Sequence, residues 1–466
     1  MESRGKDLLK NTGILVVAKI STQIVSFLLL PLYTALLSTA EYGEIDLYAS
    51  FIMILIPFLT LQLEMGIFKF LITEKNDHNQ KCIISTAFIF IGIMISAGTV
   101  IYWIIAGIFS FNYVLLVYLY YLTTTIMTVL LQICRGYGDN KAYAMASFVS
   151  SSFAVLLNVV FVAILRMKVE GILLASIIAN SISIIYMVKK TYIFRYLGLQ
   201  FYDKDMGNKL LRYSIPLVFN QIASWAINYS DRVIILSKWG MGYNGVYSLA
   251  NKFSSIMNTF FNVFNLAWTE NVCKCLEDRD NIKYINMMFM LIFNIYLALV
   301  TGIVNLLPFF FYIMVNNNYY VAYGHVPILL LATFFSGIAA TIGSVYIAYG
   351  RTKEVSLTTF LACICNIIVH LALLNICGLY AASISTLVSF AMLFIYRFIF
   401  IQKFFTLHIN LKNILIQFAL FLISYLFYIV KNPLLIIFGL LLNLSFILYI
   451  TIKNKEILMS MIKRKS

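Results

Sequence analysis

Fourteen apolar runs, each long enough to cross a bilayer, decide what this chain of 466 residues can become. They fall at 13–37, 45–67, 82–109, 113–134, 142–165, 169–188, 213–236, 245–270, 284–313, 321–349, 355–376, 378–401, 412–430 and 433–452, with short polar segments between them. Crossing the hydrocarbon core takes ~20 apolar residues, and every backbone N–H and C=O must find its partner inside the segment, so such runs form helices. Composition agrees, with 62% of residues hydrophobic and only 11% charged, against about a quarter charged in a soluble domain. A soluble enzyme, a disordered chain and a secreted disulfide scaffold are excluded. The expected fold is an all-α polytopic membrane protein with about 14 transmembrane helices. Seven cysteines lie mostly in or beside apolar runs without metal-type spacing, and read as buried thiols. Arg4, Lys6 and Lys10 precede the first run with no clear small-residue cleavage site, so that run reads as an uncleaved span.

The net charge of +15 would point to nucleic acid in a soluble protein. Here the placement of charge reports topology, and no nucleic-acid partner is expected. With the N-terminus in the cytoplasm, one side holds most of the 34 Lys and Arg, including Lys189, Lys190, Arg195, Lys204, Lys209 and Arg212. The opposite side holds Arg166, Lys168, Lys238 and Lys431. The positive-inside rule then puts both termini in the cytoplasm. Lys19, Arg232 and Lys252 remain over, inside spans or at their ends.

An internal repeat divides the chain. Asn158 precedes Gly171-Ile-Leu-Leu-Ala175-Ser176-Ile177 much as Asn366 precedes Gly378-Leu-Tyr-Ala-Ala382-Ser383-Ile384. Tyr42-Gly43-Glu-Ile-Asp-Leu47 is echoed by Asn244-Gly245-Val-Tyr-Ser-Leu249. An even number of spans separates the copies, so the repeat is parallel, related by an axis along the membrane normal. The expected organisation is an N-lobe at 1–188, a cytoplasmic linker at 189–212 with an aromatic and basic interfacial helix, a C-lobe at 213–402, and two extra helices with a basic tail at 403–466. Gly171, Ala175, Gly378 and Ala382 serve equally well as close-packing positions.

Polar residues three and four apart share a helix face, and within a membrane that face turns to protein or water. The eighth run carries Asn251, Ser255, Asn258, Asn262, Asn265 and Thr269, flanked by Lys252 and Glu270. The seventh carries Asn220, Ser224, Asn228 and Asp231 beside Arg232; the second Asp46, Ser50, Pro57, Thr60 and Glu64; the first Lys19, Thr22 and Ser26; the eleventh Thr359, Cys363, Asn366 and His370. Together they predict a polar cavity between the halves, lined by Lys19, Thr22, Ser26, Asp46, Asn220, Asn228, Asp231, Arg232, Asn251, Lys252, Ser255, Asn258, Asn262 and Asn265. Bonding between neighbouring helices is the simpler use of such residues. A Lys in hydrocarbon is costly, so Lys19 and Lys252 need partners or water, although Lys252 can snorkel. Glu64 and Glu270 are candidates for proton or sodium coupling, or for pairing with Lys69 and Lys274. His370 is a further coupling candidate, and His325 and His370 both serve as well in packing. Arg135 and Arg351 occupy equivalent cytoplasmic turns, where each meets an anionic headgroup or acts as a topology signal. Pro57 and Pro216 are expected to bend their helices. Phosphate-binding loops, metal-ligand clusters and nucleophile elbows are absent from the sequence. No catalytic residue, cofactor or metal is expected.

Lys10-Asn11, the first run ending Pro31-Leu-Tyr33-Thr34, Leu37-Ser38 and Glu41-Tyr42-Gly43 resemble the Wzx-type polysaccharide flippases of the multidrug/oligosaccharidyl-lipid/polysaccharide exporter (MOP) superfamily. Ser214-Ile-Pro216-Leu and Asn228-Tyr-Ser-Asp231-Arg232 are similar to that family's second-half motif. The resemblance covers almost the whole chain, through short and degenerate motifs. It implies alternating access by two lobes and transfer of an undecaprenyl-pyrophosphate-linked oligosaccharide, an O-antigen or capsule unit, across a bacterial inner membrane. It also implies proton or sodium coupling and work beside a polysaccharide polymerase and a chain-length regulator. A multidrug exporter or lipid II flippase would share the fold, whereas a membrane glycosyl-transfer enzyme would need clustered outer carboxylates that are scattered here.

Overall fold

The computed structural model describes residues 27–108, 112–275, 281–408 and 410–453. Lys19, Thr22 and Ser26 lie outside the described residues. Helix contacts divide the chain into two compact units, Met1–Gly245 and Val246–Ser466. The first holds α1 (Leu30–Leu36), α2 (Thr39–Thr60), α3 (Leu63–Leu71), α4 (Asp77–Ile108), α5 (Val114–Gly136), α6 (Asn140–Asn158), α7 (Lys168–Thr191) and α8 (Lys204–Trp239). Then come α9 (Met241–Cys275), whose first turn belongs to the first unit, α10 (Asn281–Met314), α11 (Ala322–Ala348), α12 (Thr352–Cys377), α13 (Tyr380–Ile401), α14 (Leu411–Val430) and α15 (Pro433–Lys453). No strand occurs among the described residues.

Among the described residues eleven helices are long and apolar enough to cross a membrane. At 1.5 Å per residue α8 and α9, with 36 and 35 residues, are also long enough, but they are too polar to qualify. These two carry polar stripes and account for two of the three runs missing from fourteen; the first run, 13–37, lies mostly outside the described residues. α8 packs against α2, α3 and α4, helices of the first unit.

Helix starts follow side-chain caps. Ser38 and Glu41 form a reciprocal capping box, with Glu41 N donating to Ser38 Oγ at 3.2 Å and Ser38 N to Glu41 Oε2 at 2.8 Å. Tyr42-Gly43 therefore lies in the first turns of α2, and Asn244-Gly245 likewise in α9, rather than in loops. These two copies of one motif meet. A Cβ on Gly245 would stand 1.8 Å from Thr39 O, one on Gly43 would stand 2.1 Å from Met241 O, and Asn244 Nδ2 donates to Gly43 O at 2.9 Å. Only glycine permits that backbone approach.

The second apolar run is two helices. Leu61 and Gln62 both adopt left-handed backbone, at φ 51° and 54°, one turn after Pro57. Thr60 Oγ1 donates to Ile56 O at 2.9 Å and accepts from Gln62 N at 3.2 Å, so one hydroxyl spans the interruption.

The linker is shorter than expected and holds no interfacial helix. α7 runs on to Thr191, two 3-10 turns follow at Ile193–Arg195 and Leu199–Phe201, and α8 starts at Lys204, where Asp203 caps the N–H groups of Asp205 and Met206. The connection is pinned to α4, because Ser85 Oγ donates to Tyr196 O and accepts from Gly198 N, while Asp203 N donates to Thr86 Oγ1. Bonds of this kind hold the backbone in turns rather than a helix. Phe194 and Leu199 remain exposed.

The repeat pairs α6–α7 with α12–α13, each packed together, but its glycines differ. Gly171 sits within α7, where a Cβ would stand 3.1 Å from Phe161 and Met167 side chains. Gly378 has φ +56° and open space around it, so backbone conformation rather than close packing requires it. In the second unit α10 carries α11, α14 and α15. Gln417 donates to Asn294 Oδ1 at 2.5 Å, Asn305 to Ser424 Oγ at 3.0 Å, and Asn443 to Ala298 O at 3.0 Å. Lipid gives apolar helices little reason to associate, so packing and bonds of this kind hold such pairs. Of the cysteines, Cys82, Cys134, Cys275 and Cys363 are buried, while Cys273 is exposed and Cys365 and Cys377 are half-buried.

Candidate functional site

In the first unit an ion pair joins two polar-striped helices. Arg232 Nε on α8 donates to Asp46 Oδ2 on α2 at 2.5 Å, with the Arg232 side chain 8% exposed and that of Asp46 25%. Nη1 of Arg232 also donates to Asn228 O at 2.9 Å, and its guanidinium carbon lies 4.8 Å from the centre of the Tyr229 ring. One turn along α2 from Asp46, Ser50 O accepts from Trp225 Nε1 at 2.7 Å, and Trp225 stacks on Tyr229. The arginine thus meets a carboxylate, a carbonyl and an aromatic face, and its charge is matched inside the protein. Asp231 is buried beside it. Asn220 and Asn228 on the same helix are exposed; Asn228 Nδ2 bonds Ser224 O, and Ser224 Oγ bonds Asn220 O. Their amides face outward from a helix whose Val218, Ile227 and Ile235 are buried.

The α9 stripe divides along its length. Asn251, Lys252, Ser255 and Asn258 are half-buried and Asn262 is exposed. Asn251 Nδ2 bonds Tyr247 O, and Ser255 Oγ bonds Lys252 O. Asn265 and Thr269 are tied to α11, where Ser344 Oγ donates to Asn265 Oδ1 at 3.2 Å and lies 2.7 Å from Thr269 Oγ1. The opposite face packs through Phe253, Met257, Phe261 and Trp268.

The coupling candidates lie on three different helices. Glu64, in the first turn of α3 just past the Leu61–Gln62 interruption, is 1% exposed, and its Oε2 has no hydrogen-bond partner. Lys69 is not its partner, since that ammonium sits 3.9 Å above the Tyr213 ring. Glu270 is half-buried on α9, and His370 is buried on α12. No group of His, Cys, Asp and Glu among the described residues is arranged to hold a metal.

Two features escaped the sequence. Arg397, one turn from the end of α13, is a fourth cation inside a span, 5% exposed. It donates to Ala339 O at 2.8 Å, Val355 O at 3.1 Å, and Thr358 and Thr359 Oγ1 at 3.0 Å each. A single Arg in the apolar run 378–401 was its signal, read as part of the basic side. A cavity of about 290 Å³ in the first unit is lined by Thr124, Thr128, Ser176 and Asn180, and Asn180 bonds both Ser150 and Thr124. Its polar lining is shared between two spans, α5 and α7, so no single periodicity reveals it.

These helices have the fold of MOP-superfamily membrane transporters. The structure resembles the lipid II flippase MurJ in an inward closed conformation, with TM-score 0.73, 16% identity, and coverage of 95% of this chain and 99% of that one. It also resembles an inward-facing multidrug resistance transporter of the MATE family, with TM-score 0.72, 14% identity, and coverage of 83% and 97%. A MOP superfamily transporter from Pyrococcus furiosus, described as having a binding pocket of reverse polarity, matches at TM-score 0.55 and 16% identity over 84% and 96%. The sequence profile of the polysaccharide biosynthesis protein family matches residues 8–269, and the chain belongs to that family. No curated protein is similar enough in sequence to count as a match.

Proposed function

We propose that this protein is a flippase for an undecaprenyl-pyrophosphate-linked oligosaccharide, an O-antigen or capsule repeat unit, and works by alternating access in a bacterial inner membrane with both termini in the cytoplasm. Family membership carries the reading, because the matched segment 8–269 contains both polar stripes and the Asp46–Arg232 pair. The outward amides of Asn220, Asn228 and Asn262 suit a glycan, which needs many neutral hydrogen-bond partners. Lys19 and Lys252 would meet the pyrophosphate. Proton or sodium coupling is assigned to Glu64, Glu270 and His370, with Glu64 favoured by its burial and its unpartnered oxygen. The products would pass to a polysaccharide polymerase and a chain-length regulator.

The test is deletion of the gene in a host that survives failed glycan export, followed by mass spectrometry of surface polysaccharide and lipid-linked repeat units. The expected result is loss of surface glycan with intact repeat units retained in the inner leaflet, restored by the wild type and not by Lys19→Ala. Normal glycan with raised sensitivity to cationic dyes would make the protein a drug exporter. Normal glycan with accumulated lipid II would make it a lipid II flippase, and accumulated unjoined sugars on the outer face would make it a glycosyl-transfer enzyme. Glu64→Gln should retain binding and lose the dependence of transport on the ion gradient.

A further inference from the structure

At the end of the second unit where α11 turns into α12, a cavity of about 210 Å³ is lined by Arg351, Glu354, Thr358, Tyr396, Lys403 and Phe404, among others. At ~30 Å³ per water it holds roughly seven waters, room for a phosphate and a small polar group but not for an oligosaccharide. Its charge is positive. Arg351 Nη1 donates to Glu354 Oε1 at 2.8 Å, which uses one of five guanidinium donors. Lys403 has no carboxylate partner among the described residues. Arg397 lies directly behind the wall and donates to Thr358, a lining residue, also without a carboxylate. Three cations thus face or underlie a cavity with a single acid.

Aromatic rings fix the cations. The Arg351 guanidinium lies 4.3 Å from the centre of the Phe404 ring, and Lys403 Nζ lies 4.5 Å from that of Phe400, which stacks on Tyr396. An apolar wall leads away from the cavity along α12, where Leu357, Leu361, Ile364, Ile368 and Leu371 are all exposed at alternating spacings of four and three. From Leu357 to Leu371 the helix rises about 21 Å, more than one leaflet of hydrocarbon at ~15 Å. A soluble anion has no use for that wall, whereas an acyl chain does.

We propose that this cavity binds the phosphate headgroup of an anionic phospholipid, with its acyl chain laid along α12. Basic pockets between helix ends select anionic headgroups in this way.

The experiment is native mass spectrometry of the full chain in detergent, titrated with phosphatidylglycerol, with phosphatidylcholine and with inorganic phosphate. Phosphatidylglycerol should bind in preference to phosphatidylcholine, and the double variant Arg351→Ala/Lys403→Ala should lower its affinity about 30-fold. The charge-preserving variant Arg351→Lys/Lys403→Arg should stay within a few-fold of wild type, and it carries the comparison if the alanine variant fails to fold. Equal binding of the two lipids, or phosphatidylglycerol binding untouched by loss of both cations, would overturn the proposal. Saturation by inorganic phosphate with no gain from an acyl chain would overturn it too, in favour of a soluble anion.

Discussion

Arg232 depends on Asp46 more than Asp46 depends on Arg232, because the guanidinium is the more deeply buried partner. Asp46→Ala takes a carboxylate away from a buried cation and should cost about 3 kcal/mol. Arg232→Ala leaves a carboxylate that still reaches water and should cost less. Thermal unfolding of both single variants and the double variant in detergent measures the coupling; equal and additive losses would mean that the pair contributes nothing as a pair. Both residues were legible in the sequence as charges in apolar runs. Their pairing was not, since helical periodicity says which side chains share a face and not which helix that face meets. Arg397 went unread because, with no acid nearby in sequence, a lone arginine near a helix end looks like a topology signal. Its partners are hydroxyls and carbonyls, which composition does not reveal.

Among the elements, helix existence was readable and helix edges were less so. Period and length placed nearly every helix, but the capping box at Ser38–Glu41 moved the Tyr42-Gly43 motif into α2, and Ser85 and Thr86 turned the expected linker helix into pinned turns. The interruption at Leu61–Gln62 has no glycine to announce it, and Pro57 points one turn too early. The Gly43–Gly245 crossing makes a sharp prediction. Gly245→Ala drives a methyl into Thr39 O and should abolish accumulation of folded protein, whereas Gly92→Ala, with nothing within 4 Å, should be neutral or stabilise by about 0.5–1 kcal/mol. Expression and melting temperature separate the two. On α9, Asn262→Cys should react with a membrane-impermeant thiol reagent and Met257→Cys should not, as the first position is exposed and the second is 3% exposed. Inert cysteine at 262 throughout turnover would remove that face from any aqueous path.

For the molecule as a whole, the carboxamides between α10 and the last two helices supply bonds that greasy surfaces in lipid cannot. Gln417→Leu should cost about 0.6–1.7 kcal/mol by removing the bond to Asn294, read as a lower melting temperature. Until α14 and α15 arrive, Asn294 and Asn305 have nothing but hydrocarbon to face on that side. About 140 residues separate the end of α10 from the end of α15, so at ~5–20 residues per second the ribosome leaves them waiting on the order of 10–30 s. For that interval the nascent protein carries two amides in the membrane without their final partners. A chain stopped after Phe405 should be cleared rapidly, and replacing both asparagines by leucine should prolong its life.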